Sequence, residues 1–463
     1  MHSPIIQQLI QTIGQENVQL GQAVADSYSH IWKMEEPLIA KAILLPRSTN
    51  DVAAIMKLCH ENQQPIVIHG GRTNLVGSTE TGQDEIVISF EKMKQIIEVD
   101  EKSRTMTVEA GVILEEIHQA AEKKDLLFPM SFGAKGSAQI GGVIATNAGG
   151  LKVFRYGMTR QLILGLEVVM ADGTIISSMK KIIKDNSAYD LKQLFIGSEG
   201  TLGLITKAVL KLSEAPSSRT SAFVAFDDYD KVVGFLKFMD KGLAGTLSSY
   251  ELIWGRTYKS MTSPPALAKP PLPHGFQYYV LLEGLGSHPQ EDQALFQRLM
   301  ETAFEQELIL DAAIANSDAD LDWFWKIRED VHVIVSQCTF DQHFDISLPI
   351  ALIGEHIDKT IPQLEAINGV EKVFPFGHLG DGNVHFIIGK VDESKALKNQ
   401  INDVVYAGLQ NIGGSMSAEH GIGLHKKSYL QLCRTREEIE LMKLLKRTLD
   451  PFNLLNRGKV LDV

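Results

Sequence analysis

The chain has 463 residues, 44% hydrophobic and 22% charged, long enough for two or three domains and well outside the disordered class. Its 45 Lys and Arg against 57 Asp and Glu give a net charge of −12 without a basic run, which argues against nucleic acid or an anionic membrane as partner. The three cysteines, Cys59, Cys338 and Cys433, are far apart and form no CxxC pair, so they read as reduced thiols. Met1 to Gln11 shows no basic region followed by an apolar run, and no stretch approaches the length of a membrane span. The expectation is a soluble globular protein of the cytoplasm, peripheral membrane docking being invisible at this level.

In chain order, Pro46 to Glu61 predicts a helix capped by Ser48, Thr49 or Asn50, with Val52, Ile55, Met56 and Cys59 on one face. Ile66 to Ile68 is a strand that runs into a glycine turn. Ile86 to Phe90 and Thr105 to Glu109 follow as strands and Val112 to Lys124 as a helix, an alternation that defines a first domain, 1–213. The polar segment Glu214 to Arg219, with Pro216 after the apolar strand Leu204 to Leu212, predicts a linker. In the second domain, 214–412, Ser263 to Gly275 is too proline-rich for a helix or central strand, and Asp320 to Gln337 reads as a helix. A C-terminal segment, 413–463, returns to glycine-rich loops and ends in a helix around Glu437 to Leu449.

Three glycine-rich segments stand out: His69 to Gly77, Ile140 to Gly150 and Gly197 to Gly203. None is a GxGxxG between strand and helix, and no GxxxxGK[ST] exists, which disfavours Rossmann and P-loop nucleotide sites. Glycine lets backbone N–H groups approach an anion closely, so the first loop is suited to a pyrophosphate; taken singly, each is also an ordinary tight turn.

Pro375 to His385 contains His378 and His385, seven apart. That odd offset on an unbroken strand points the two to opposite faces, but Gly380-Asp381-Gly382 permits a turn that reunites them. Glycines in Gly413 to Gly423 bracket Glu419 and His420. Two imidazoles and a carboxylate leave an open position on zinc or a similar divalent ion, as a catalytic site requires.

These loops, with Pro129, Ser137 and Asn147-Ala148-Gly149-Gly150, resemble the flavin-binding domain of the vanillyl alcohol oxidase and p-cresol methylhydroxylase superfamily. Within it, Phe132 to Ser137, Arg155-Tyr156-Gly157, Asp172-Gly173-Thr174 and Asp185-Asn186 through Gly203 resemble the D-2-hydroxyglutarate dehydrogenases, and the similarity covers nearly the whole chain. It implies an α+β fold: a two-part FAD-binding domain, a substrate (cap) domain built on an antiparallel sheet, and a C-terminal segment returning to the flavin. It also implies non-covalent FAD. The implied cofactor residues are Gly70, Gly71, Arg72, Thr73, Asn74, Leu75, Gly77 and Ser78, then Pro129, Ser137, Gly141, Gly142, Thr146, Ala148 and Gly149, then Glu199, Gly203, Ile205 and Asn456. His69 reads as a loop residue rather than a flavin attachment point. Ser78, where a second glycine is usual, and Arg457, in the closing Asn456-Arg457-Gly458-Lys459, are minor departures.

The resemblance further implies His378, His385 and Glu419 as metal ligands, His420 as general base and Arg328 as the fork for the substrate carboxylate. Asn383 is placed with the substrate residues. Beyond these the pattern departs: His332 stands where the family has threonine, His343 where it has lysine, and Ile387 where it has asparagine. An isoleucine cannot hydrogen-bond a carboxylate, so Ile387 favours a monocarboxylic substrate such as D-lactate, while His332 keeps D-malate and D-2-hydroxyglutarate open. The reading is an FAD-dependent dehydrogenase of a D-2-hydroxy acid. A nicotinamide enzyme is disfavoured by the missing GxGxxG, and a flavin- and metal-binding protein with a decayed substrate site by the retained His378, His385, Glu419 and His420. The electron acceptor, an electron-transfer flavoprotein, a quinone or a cytochrome, leaves no motif, and a homodimer is implied only by the family.

Overall fold

The computed structural model describes residues 3–27 and 38–463. Two compact units emerge, one from Met1–Gly150, Gly157–Ala215 and Glu419–Val463, the other from Leu151–Tyr156 and Pro216–Ala418. Among the described residues, no helix is long and apolar enough to cross a membrane.

In the first unit the helix Thr49–Glu61 begins where the Ser48 hydroxyl accepts the Asp51 N–H at 3.1 Å, and it buries Val52, Ile55, Met56 and Cys59 as the spacing predicts. It packs in a core with Ile66, Ile86 and Ile88. The apolar strands Ala42–Leu44 and Ile66–His69 flank Ile86–Ser89 in parallel, and Val18–Gln19 pairs antiparallel on Ala42–Leu44. A second sheet takes the order Ile96–Asp100, Thr105–Glu109, Leu204–Lys211, Ile163–Val169, Ile175–Ser178, antiparallel throughout. The helix–strand alternation therefore accounts for the first sheet only. Ile96–Asp100 and Thr105–Glu109 are joined by four residues, too few for a crossover helix and enough for a hairpin.

The second unit is built on a seven-stranded antiparallel sheet in the order Asp311–Ile314, Ser218–Phe226, Tyr278–Gly286, Leu247–Trp254, Val370–His378, Asn383–Lys390, Phe340–Ser347. Leu247–Trp254 is buried at every position, so its one carboxylate, Glu251, lies inside. Tyr258 and Tyr279 stack at 3.7 Å, and Phe223 meets Phe324 edge-on at 5.2 Å.

The expected helix over Asp320 to Gln337 is two helices, Asp318–Glu329 and Val331–Val335. Asp330 leaves helical geometry at ψ 62° while its N–H closes on Lys326 O, and the β-branched run that follows supports only a short turn. Ser263 to Gly275 carries neither helix nor strand; it is pinned by the Trp323 indole N–H on Lys269 O and by Tyr258, which bonds Leu272. The chain passes between units at Ala215 and Pro216, inside the polar segment. It stays with the second unit through Ala418, beyond the glycines at 413 and 414, because Ser415 pairs with Ser347 and the Ala418 N–H bonds Asp345.

Candidate active site: glycine loops and a buried histidine–carboxylate–arginine cluster

In the first unit the strand Ile66–His69 delivers the chain into the first glycine loop. A Cβ on Gly71 would stand 2.0 Å from Ser137 O, so only glycine lets the first loop lie against the segment that carries Ser137. Asn74 shapes the loop: its carbonyl accepts the Val76 and Ser78 N–H groups, and its amide donates to Thr79 Oγ1 at 2.6 Å. His69 is fully buried, with Nε2 2.9 Å from Thr79 O. The carbonyl can only accept, so Nε2 carries the hydrogen. Burial first, and then the positive charge of Lys459, lower His69 to about 3.

Glu199 and Asn456, both expected to hold cofactor, also have side chains engaged within the protein. Glu199 accepts the Ile422 and Gly423 N–H groups at 2.7 and 2.9 Å, and burial raises its pKa. Asn456 accepts the Ile68 N–H and donates to Glu199 O, so it ties the first strand to the third glycine segment. Other polar groups of this unit are buried without a hydrogen-bond partner: Ser78 Oγ, Gln139 Oε1 and Lys459 Nζ. Burial lowers the Lys459 ammonium to about 8, with Glu85, Glu80 and Glu199 opposing. Buried groups of this kind, beside a loop that only glycine can form, suit an anionic cofactor rather than an apolar one. Lys459 escaped the sequence reading, although the closing Asn-Arg-Gly-Lys pattern contains it.

In the second unit Val370–His378 turns through the short 3-10 segment Leu379–Asp381 and Gly382 into Asn383–Lys390. Gly382 sits at φ 83°, and a Cβ there would meet Leu348 O at 2.5 Å. The turn brings His378 and His385 together, ring centroids 5.1 Å apart and rings perpendicular. Glu419, the third residue expected at this site, opens the last segment of the first unit.

Behind His378 stands Glu251, a residue the sequence reading missed. It is 1% exposed, and both its oxygens lie 2.8 Å from His378 Nδ1. Facing a carboxylate, Nδ1 is the protonated nitrogen, which makes Nε2 the lone-pair nitrogen of the ring. Oε2 also accepts Arg328 Nε at 2.8 Å, and the guanidinium lies over the Phe376 ring at 4.8 Å. Burial pushes the Glu251 carboxyl up, but the charges and hydrogen bonds of His378 and Arg328 outweigh it and hold the group below the ordinary carboxylate value. A lone glutamate in an otherwise uncharged strand was the signal available beforehand.

Arg328 Nη2 pairs with the same oxygen at 2.8 Å, and both amide atoms of buried Asn383 are without a hydrogen-bond partner. Such groups cost on the order of 1–3 kcal/mol each unless a polar ligand receives them. Asn383, His385 and Ile387 alternate onto one face of their strand. Ile387 is 2% exposed in a core with Phe374 and Phe376, and it faces His343 across the strands; His343 Nε2 is 2.6 Å from Asp341. His332 stands exposed on Val331–Val335, and His420 is partly buried.

Comparison with known proteins agrees with this architecture. Residues 40–178 match the FAD binding domain family, and residues 215–460 match the C-terminal domain of FAD linked oxidases. The fold is shared with p-cresol methylhydroxylase solved with substrate bound, at a TM-score of 0.78 and 16% identity, covering 99% of this chain and 96% of that one. The chain is thus an FAD-binding oxidoreductase built on the p-cresol methylhydroxylase fold. A D-2-hydroxyglutarate dehydrogenase of Xanthomonas citri is 34% identical over 100% of this chain and 98% of its own length. A putative mitochondrial D-lactate dehydrogenase of Schizosaccharomyces pombe is 35% identical over 93% of this chain and 83% of its own. The chain belongs to the family of FAD-linked D-2-hydroxy acid dehydrogenases that includes the D-2-hydroxyglutarate dehydrogenases.

Proposed function

We propose that the protein oxidises a monocarboxylic D-2-hydroxy acid, D-lactate or a homologue, to the 2-oxo acid. The observation that carries this reading is the cluster of His378, Glu251 and Arg328, which presents a metal-ready imidazole and a guanidinium from one buried carboxylate. His378 and His385, with Glu419, would hold a divalent cation, zinc by its donor set. FAD, held there, would supply the hydride acceptor, and a cation would supply Lewis acidity toward the substrate hydroxyl.

The protein's own groups do the rest. Arg328 presents its guanidinium to the C1 carboxylate, Asn383 offers an amide without a hydrogen-bond partner to a substrate oxygen, and His420 takes the hydroxyl proton. FAD is held without a covalent bond through the glycine loops, His69 being engaged with Thr79 O. Ile387 leaves the far end of the substrate against apolar surface, which favours a methyl or alkyl group over a second carboxylate.

His420→Ala is expected to retain flavin while the rate of its reduction by D-lactate falls by about 10²–10⁴. Stopped-flow absorbance reads this, and a near wild-type rate would remove His420 from the role of base. A diacid reading, D-2-hydroxyglutarate or D-malate, draws on the names of the relatives and on His343, the cross-strand neighbour of Ile387. Ile387→Asn discriminates: it should raise kcat/KM for D-2-hydroxyglutarate and lower it for D-lactate.

A further inference from the structure

Two buried carboxylates on adjacent strands of the second unit receive the same helix, Asp318–Glu329. Glu283, 2% exposed, accepts the Trp325 indole N–H at 3.1 Å and pairs with Arg219 at 2.7 Å. Glu251, 1% exposed, accepts Arg328 Nε three residues further along that helix. The further partners of Glu283 are Arg219 and the Ser248 hydroxyl, whereas Glu251 reaches onward to an imidazole, His378 Nδ1, at 2.8 Å. Holding the helix therefore does not by itself require a contact with the imidazole.

Resting on the metal reading above, we propose that Glu251 is a positioning residue for the metal site, fixing the tautomer and ring orientation of His378. An imidazole can carry its single hydrogen on either nitrogen, and only the form with hydrogen on Nδ1 exposes an Nε2 lone pair. Glu251 selects that form by accepting the Nδ1 hydrogen, and both of its oxygens lie equidistant from Nδ1, which restrains rotation of the ring. Arg328 on the same oxygen compensates the buried negative charge, so the carboxylate stays in place whether or not a cation is bound.

The test measures zinc affinity of the purified FAD-bound protein by competition with a chromogenic chelator. Glu251→Gln is expected to weaken zinc binding by about 10–100-fold, and Glu251→Asp, which keeps the charge but withdraws it, also weakens it. Glu283→Gln, which loosens the same helix, should stay within about twofold of wild type. In a His378→Ala background Glu251→Gln should change nothing further, because its effect passes through that imidazole. Wild-type affinity in Glu251→Gln, an equal loss in Glu283→Gln, or a full additional loss in the His378→Ala background would each overturn the proposal. If His378→Ala weakens zinc and Glu251→Gln does not, the metal reading stands and this inference alone falls. Wild-type protein that binds no zinc removes both.

Discussion

His69 is held neutral by its surroundings: the ring is fully buried, its Nε2–H donates to Thr79 O, and Lys459 adds a repelling charge. With a folded value of about 3 against an ordinary imidazole value of 6.5, the unfolded chain binds a proton between these values and the folded chain does not. Stability is therefore complete above pH 6.5 and falls as pH drops toward 3, by about 1.4 kcal/mol per pH unit for one proton. His69→Asn should flatten that dependence in urea melts recorded from pH 7 to pH 4; an unchanged slope would show that other groups dominate it. The motif residues were legible from local chemistry, since a glycine pattern announces a loop and the glycines between His378 and His385 announce a turn that brings the two rings together. Glu251 and Lys459 were not, because their meaning depends on partners distant in sequence, His378 and Arg328 for the one and His69 and the carboxylates around Lys459 for the other.

Asn456 shows how an element is fixed from afar. Its amide closes the Ile66–His69 strand at Ile68 and reaches Glu199 O, while Leu455 bridges Ile66. Asn456→Ala leaves a buried N–H and a buried carbonyl without partners, which should cost about 2–4 kcal/mol and loosen flavin binding. Denaturant midpoints and flavin fluorescence on dilution measure both, and a loss under about 0.5 kcal/mol would mean that the strand is held by the sheet alone. Elements with strong period or composition were readable: Thr49–Glu61 and Arg436–Leu449 lie within three residues of expectation at each end. The single helix drawn through Asp330 was not, since no glycine or proline marks the break and the β-branched run still carries a helical spacing. The antiparallel sheet within the first unit was missed for a related reason. Short apolar strands do not announce whether a hairpin or a crossover joins them.

Across the whole molecule, the net charge of −12 makes the overall field unfavourable to an anionic substrate, so attraction rests on local groups such as Arg328. Flavin binds only the folded chain, and saturating FAD should raise the melting temperature of the deflavinated protein. The stabilisation is about 2.7 kcal/mol at a hundredfold excess over Kd; differential scanning fluorimetry with added FAD would show it, and an unchanged midpoint would contradict a cofactor held by the glycine loops. The passage between the two units at Ala215 and Pro216 falls where Pro216 and the polar residues around it interrupt two apolar strands. The transfer of Leu151–Tyr156 to the second unit was not legible, since six residues carry no compositional mark. The central claim is a flavin reduced by D-2-hydroxy acids at a site with a metal-ready histidine pair. It is tested most directly by anaerobic titration of the purified, zinc-loaded protein with D-lactate, D-2-hydroxybutyrate, D-malate, D-2-hydroxyglutarate and L-lactate, followed by flavin absorbance. The account predicts bleaching by the D-monocarboxylic acids first, the diacids less readily and L-lactate not at all. Flavin that stays oxidised with every D-acid, or that L-lactate bleaches equally well, would contradict it.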